Sequence, residues 1–275
     1  MKAINPRLKR AAQWLLPKRA FATAQSIRSR NHQRELLREW GVERATREMI
    51  DEFGLEVLDG PFRGMRYPEA SLASHDGVPI LFASYEMELH PVIEQMARSP
   101  YERIINIGAG EGYYSVGLAL RIAAPVFAFD CEPRERKFLR EMARLNGVAG
   151  RVHARPWCSP RTLRNLAAGS RCLLVVDCEG YEAELFEAEA VSALSFSDLI
   201  VEIHENGACA DVRGLLLRRF SASHAARTFT FDPSNSPDRI PAKWRAFARE
   251  FRPAGQQWLA LSARESSPER PRRPV

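Results

Sequence analysis

The chain has 275 residues, of which 45% are hydrophobic and 27% charged. These values suit a soluble globular protein with one large domain or two small ones. No apolar run approaches the ~20 residues that span a bilayer, and the apolar stretch 11–16, broken by Gln13, is too short for a secretory signal. The net charge of +6 is concentrated at the ends, in Lys2, Arg7, Lys9, Arg10, Lys18 and Arg19 and again in Arg270, Arg272 and Arg273. We read these as solvated termini, with 266–275 a disordered tail. A sharper alternative is a peripheral contact of residues 1–20 with an anionic membrane or polyanion. The five cysteines are odd in number and lack C-x-x-C spacing. They predict reduced thiols in a cytoplasmic protein and show no zinc-site pattern, so no metal is assigned.

In chain order, residues 25–53 have a helical pattern, broken at Gly41 and stopped at Gly54. Residues 1–54 are therefore a basic helical N-terminal extension before a domain over 55–265. Residues 55–67 read as short strands around the turns Asp59-Gly60-Pro61 and Arg63-Gly64. A compact apolar run follows at 78–84. The cluster Tyr85-Glu86-Met87-Glu88-Leu89-His90-Pro91 then precedes a helix at 92–98, either as a loop and cap or as a wall of a ligand mouth.

Residues 103–133 organise the rest. An apolar run at 104–107 leads into glycines at 108, 110 and 112, a helical pattern, and a second apolar run, Val126–Phe129, ending on Asp130. Strand, glycine turn, helix, strand and acid form the first half of a doubly wound nucleotide-binding fold. The helix start offers unpaired N–H groups to an anion, and the Asp130 carboxylate is expected to accept from ribose hydroxyls. A dinucleotide fingerprint would have its third glycine at position 113, which is Tyr113. A nicotinamide dinucleotide is therefore disfavoured.

Next come a helix after Pro133, a strand at 151–155, and the exit loop Pro156-Trp157-Cys158-Ser159. Cys172–Val176 is continuously apolar, as a strand buried on both faces would be. It ends on Asp177, and Asp198–Ile203 ends on His204. A helix at 213–220, a strand at 228–231, a helix at 244–251 and a last strand at 257–262 complete the pattern. The ends of parallel strands are where ligands bind in such sheets. The glycine turn, Asp130, Trp157, Asp177 and His204 all fall there.

Several stretches resemble the FkbM-type methyltransferases: Gly60-Pro61-Phe62-Arg63-Gly64, residues 85–91, Asn106-Ile107-Gly108-Ala109-Gly110-Glu111-Gly112-Tyr113-Tyr114, Ala128-Phe129-Asp130, Asp177-Cys178-Glu179-Gly180-Tyr181-Glu182 and Val201-Glu202-Ile203-His204. The G-x-G-x-G spacing itself is similar to motif I of class I S-adenosylmethionine-dependent enzymes. The resemblance implies a Rossmann-like fold with a mostly parallel seven-stranded sheet, closed by an antiparallel pair, with helices on both faces. It also implies S-adenosyl-L-methionine as donor and O-methylation as the usual reaction. The expected cofactor contacts are Asn106, Gly108, Ala109, Gly110, Glu111, Gly112, Asp130, Cys131 and Trp157. Asn106 departs from the acidic residue usual before the turn, so no charge is supplied there.

The expected acceptor is a hydroxyl of a small molecule or glycan. A nucleic-acid acceptor is suggested by the charge, but Asp177 lacks the Pro-Pro-aromatic sequence of many amino-methylating enzymes and no Pro-Cys dipeptide is present. A non-catalytic binding module is the remaining alternative. For catalysis, His204 is expected to act as the base, with Asp177 and Glu202 as its orienting or substrate-binding neighbours. The alternatives are a strand-capping His204, or a divalent ion held by Asp177, Glu202 or His204 with Asn206.

Overall fold

The structure, a computed structural model, describes residues 27–28, 31–32, 35–36, 38–205, 209–233, 239–248, 250, 252 and 254–264. The expected contact segment 1–20, the tail 266–275 and Asn206 lie outside these residues. Among the described residues no helix is long and apolar enough to cross a membrane.

The first elements cover the rest like a cap. They are α1 (Val42–Phe53), α2 (Glu69–Leu72), α3 (Gly77–Leu81), a 3-10 turn at Met87–Leu89 and α4 (His90–Met96). The alternating unit follows as β1 (Arg103–Ile107), α5 (Tyr113–Arg121), β2 (Val126–Phe129), α6 (Pro133–Leu145), β3 (Val152–Arg155), α7 (Pro160–Ala167), β4 (Cys172–Val176), α8 (Glu182–Leu185), α9 (Ala188–Ala193), β5 (Asp198–Ile203), α10 (Val212–Phe220), β6 (His224–Thr230) and β7 (Gln257–Ala263). The seven strands form one sheet in the order β3-β2-β1-β4-β5-β7-β6. β1 to β5 pair in parallel, while β7 runs antiparallel to both β5 and β6. This is the Rossmann-like α/β sheet expected from the sequence.

Alternation along each strand divides the core in two. Ile104, Val126, Ala128, Leu173, Val175 and Ile200 face the cap, α5 and α6. Ile105, Ile107, Phe129, Leu174, Val176 and Val201 face α7, α9 and α10. The cap is continuous with the first core through Ala45, Met49, Phe62 and Tyr67. Its seat on α5 requires a glycine: a Cβ on Gly117 would lie 2.5 Å from the Phe62 ring.

Three sequence expectations are corrected. Of the segment 244–251, the described residues 244–248 form turns and a bend, not a helix. Its apolar spacing reflects burial of Trp244 and Ala248 in the core. Residues 55–67 make one antiparallel bridge, Glu56 to Arg66, where short strands were expected. The apolar run 78–84, for which the sequence predicts no element, overlaps the short helix α3, all of whose residues are buried. The strand expected at 228–231 begins at His224. At Gly41 and Gly54 the backbone is left-handed in φ, at 70° and 81°, so the expected break and stop are seen.

Candidate active site

β1 and β4 lie side by side, and their ends must part to let the chain turn. Gly108 makes that possible. Its φ is 80°, and a Cβ there would lie 1.5 Å from the carbonyl oxygen of Asp177. The Gly108 and Ala109 N–H groups donate to the Phe129 carbonyl at 2.8 and 2.9 Å. Asp130 completes the turn from β2. Its Oδ2 accepts from Gly110 N–H at 2.9 Å and its Oδ1 from Glu132 N–H at 2.8 Å. Asp130 is thus a structural brace as well as a strand-end acid, and it is 3% exposed. Gly112 packs against α6, where a Cβ would meet Leu139 at 2.7 Å. It does not line the two clefts that follow.

Two clefts meet over Gly108 and Asp177. The larger, about 820 Å³, is lined on the sheet side by Asn106, Gly108, Ala109, Gly110, Glu111, Tyr113, Tyr114, Asp177 and Glu179. The cap contributes Ser74, His75, Asp76, Ile80 and Tyr85. The cluster at 85–91 therefore does supply a wall, through Tyr85. Asn106 is 2% exposed and its amide nitrogen donates to Ser115 Oγ at 2.9 Å. The smaller cleft, about 420 Å³, is lined by Gly108, Asp130, Cys131, Trp157, Cys158, Asp177 and Tyr181, among others. The Trp157 and Tyr181 rings lie 4.8 Å apart. One end of the slot is therefore aromatic, suited to a planar base. The other is polar and walled by tyrosines.

Two histidine–carboxylate groups flank this slot. On the cap side, His75 Nδ1 bonds to the Ser71 carbonyl at 2.7 Å and Nε2 to Glu135 Oε2 at 3.0 Å. Glu111 Oε2 stands 3.5 Å from the same Nε2. Burial alone would lower the His75 pKa. The Glu111 carboxylate and the bond to Glu135 more than offset this and raise it to about 9. His75 is therefore a cation near neutral pH, tying the cap to the glycine turn and to α6.

On the sheet side, His204 ends β5 with its side chain 11% exposed. Its Nδ1 lies 2.9 Å from Glu182 Oε1. Its Nε2 faces Glu202 Oε2 at 3.5 Å, Asp177 Oδ1 at 3.7 Å and Glu179 Oε2 at 3.8 Å. Burial opposes the charged imidazole, but Glu202, Glu182 and Asp177 outweigh it and raise the His204 pKa well above 6.5. Glu202 is pushed up by burial and by the facing Asp177, with His204 pulling the other way. Glu179 is held at φ 58°, a left-handed conformation uncommon outside glycine. A third polar knot ties the cap to the segment before β7. Tyr114 O–H donates to Glu86, and Arg252 pairs with Glu88 and Glu250. Burial, opposed by Arg252, pushes Glu86 up to about 8.

The structure thus brings together Asn106, Gly108, Ala109, Gly110, Glu111, Asp130, Cys131, Trp157 and Asp177 around one slot. Glu202 and His204 are not among the residues lining it; they stand behind Asp177 and Glu179. Sequence reasoning gave no role to His75, Asp76, Glu179 or Glu182. The run Asp177-Cys178-Glu179-Gly180-Tyr181-Glu182 held a signal, three acids within six residues at a strand end.

No family model and no curated protein matches the chain. Among solved structures, it is similar to a precorrin 8w decarboxylase of Methanobacterium thermoautotrophicum, at 14% identity and TM-score 0.43 over 64% of this chain and 88% of that one. It is also similar to the C-terminal domain of precorrin-6Y C5,15-methyltransferase from Rhodobacter capsulatus, at 14% identity and TM-score 0.44 over 65% and 88%. A third is the bifunctional kinase-methyltransferase WbdD, at 14% and 0.44 over 79% and 46%. Likenesses at these scores carry no argument about function; the fold assignment stands on strand order and direction.

Proposed function

We propose that the chain is an S-adenosyl-L-methionine-dependent methyltransferase of the FkbM type, acting on a hydroxyl of a small molecule or glycan. The observation that supports this best is the slot across Gly108. Its aromatic end, with Trp157 and Tyr181 beside Asp130, suits an adenosine. Its polar end, walled by Tyr85, Tyr113 and Tyr114, suits the methionyl part and the acceptor. The bulk of Tyr113 at the first turn of α5 fits a cofactor without a pyrophosphate at that point.

In this reaction the bond from sulfur to the methyl carbon breaks as the bond to the acceptor oxygen forms. The sulfonium leaves as a neutral thioether, and the hydroxyl proton must leave as well. Most of the rate comes from alignment of oxygen, carbon and sulfur. Four acids line the polar end, Asp76, Glu111, Asp177 and Glu179, and the acceptor hydroxyl is placed against Asp177 and Glu179, beside the point where the two clefts meet. His204, expected to take the proton itself, does not line the slot and reaches it through these two acids, with Nε2 3.7 Å from Asp177 and 3.8 Å from Glu179. No disulfide joins the five cysteines, which fits the cytoplasm.

Calorimetric titration with S-adenosylmethionine, its demethylated product and NAD tests the reading. Binding of the first two with little or no NAD binding is expected. Tight NAD binding without S-adenosylmethionine binding would overturn it.

A further inference from the structure

We infer that Asp177, Glu179 and His204, with Glu202 beside them, form a binding site for a divalent transition-metal ion. The first support is the orientation of the imidazole. Its Nδ1 is taken by Glu182 at 2.9 Å, and Glu182 is fully buried. That bond turns Nε2 toward the other acids, as an outer carboxylate does for a metal-bound histidine.

The second support is spacing. The oxygens nearest Nε2 stand at 3.5, 3.7 and 3.8 Å, from three different residues. These separations are too long for good N–H···O bonds. They are close to the distance of about 3.3–3.4 Å between ligand atoms of a tetrahedral ion with bonds of about 2.0–2.1 Å. The donor atoms of Asp177, Glu179 and His204 all lie within 4.8 Å of one another. The cap-side group is different: His75 Nε2 is already hydrogen-bonded to Glu135 at 3.0 Å.

The third support is an unmet polar atom. Asp177 Oδ1 is buried and has no hydrogen-bond partner, although it faces Nε2. Among the described residues, no lysine or arginine ion pair offsets Asp177, Glu182 or Glu202. The His204 imidazolium offsets only part of the charge of the four carboxyl groups around it, and a largely buried acid cluster is costly without more positive charge. One imidazole with carboxylate oxygens is a donor set for Zn²⁺ or Mn²⁺ more than for Ca²⁺ or Mg²⁺.

The role of the ion rests on the methyl-transfer reading; the site does not. Because Asp177 and Glu179 line the polar end of the slot, a bound ion would contact the acceptor oxygen and lower its pKa, its proton passing to water.

The test is calorimetric titration of EDTA-treated, dialysed protein with Zn²⁺ and with Mn²⁺. One saturable site per chain is expected. Affinity should fall at least tenfold in Glu179→Gln and roughly 100-fold in His204→Ala, and hold in His75→Gln. Circular dichroism identifies any variant that fails to fold, and Glu179→Gln keeps size and shape at a part-exposed position. No saturable binding, binding that survives both substitutions, or binding lost in His75→Gln would each overturn the site. S-adenosylmethionine is titrated into the same samples. Cofactor binding without ion binding removes the site and keeps the methyltransferase reading. Ion binding without cofactor binding does the reverse.

Discussion

The two histidine–carboxylate groups use the same side chains and reach different ends. His75 sits among Ser71, Glu111 and Glu135 with both ring nitrogens hydrogen-bonded, at 2.7 and 3.0 Å. His204 has one bond, to Glu182, and three oxygens 3.5–3.8 Å from its other nitrogen. In the first group a proton is the cation and the cluster is closed. In the second the distances leave room for something larger than a proton. The lesson is that residue type names a candidate site, while a few tenths of an ångström decide what the site is for.

The largest effect is expected where both groups are disturbed together. Gly108 lies between them, and Gly108→Ala would drive a Cβ into the Asp177 carbonyl. We expect a loss of about 3 kcal/mol of stability or more, and no measurable cofactor binding. Urea unfolding and calorimetry would check this, and a stable variant with intact binding would mean the β1 and β4 ends sit farther apart.

Glu135→Ala breaks the closed group. Glu135 is fully buried, so its removal leaves a buried imidazole facing Glu111 with its hydrogen bond gone. A loss of about 2–3 kcal/mol is expected, at the low end for buried pairs because His75 can shed its proton. A loss under about 0.5 kcal/mol would show that the latch is idle.

The same group predicts a pH dependence. The folded-state pKa of His75, about 9, lies above its ordinary value of 6.5. The bound proton therefore stabilises the fold fully below about pH 6.5, and that stability is lost as pH rises through about 9. The stability gap between wild type and His75→Gln should be on the order of 2–3 kcal/mol at pH 6 and shrink toward zero near pH 10. A gap that widens with pH would reverse the assignment.

Two smaller effects sharpen the contrast. Trp157→Ala should weaken S-adenosylmethionine binding roughly tenfold, about 1.4 kcal/mol, by removing one aromatic wall of the smaller cleft. Glu179→Gln should change stability by less than about 0.5 kcal/mol, because the open group does not hold the fold together. A large destabilisation there would make the two groups alike.

The sheet was legible because its strands are buried on both faces. Cys172–Val176 is a continuous apolar run followed by an acid, Asp198–Ile203 has an apolar centre and is followed by histidine, and their bounds match the observed strands. The cap was less legible. Helix α3 is buried on every side, so its residues show no helical period. Residues around Trp244 mimic a helix because alternate contacts with the core repeat at similar spacing. The glycine turn and the strand-end residues of the slot could be read from topology alone. His75 could not, because Glu111 and Glu135 are distant in sequence and meet it through cap packing. Asp130 was read by position, and the structure adds a duty that the sequence did not show: both of its oxygens brace backbone N–H groups.

The place of β7 has a consequence for the order of events during synthesis. Residues 257–263 lie between β5 and β6, and Trp258 stands opposite Glu202. While the chain is emerging from the ribosome, β5 therefore has an open edge for as long as some fifty residues of later sequence remain to be made. Until that edge is filled, Glu202 lacks its cross-strand neighbour Trp258. A nascent chain stalled before Gln257 should expose this edge to chaperones or to another chain, and it should gain protease resistance abruptly when the last strand is released.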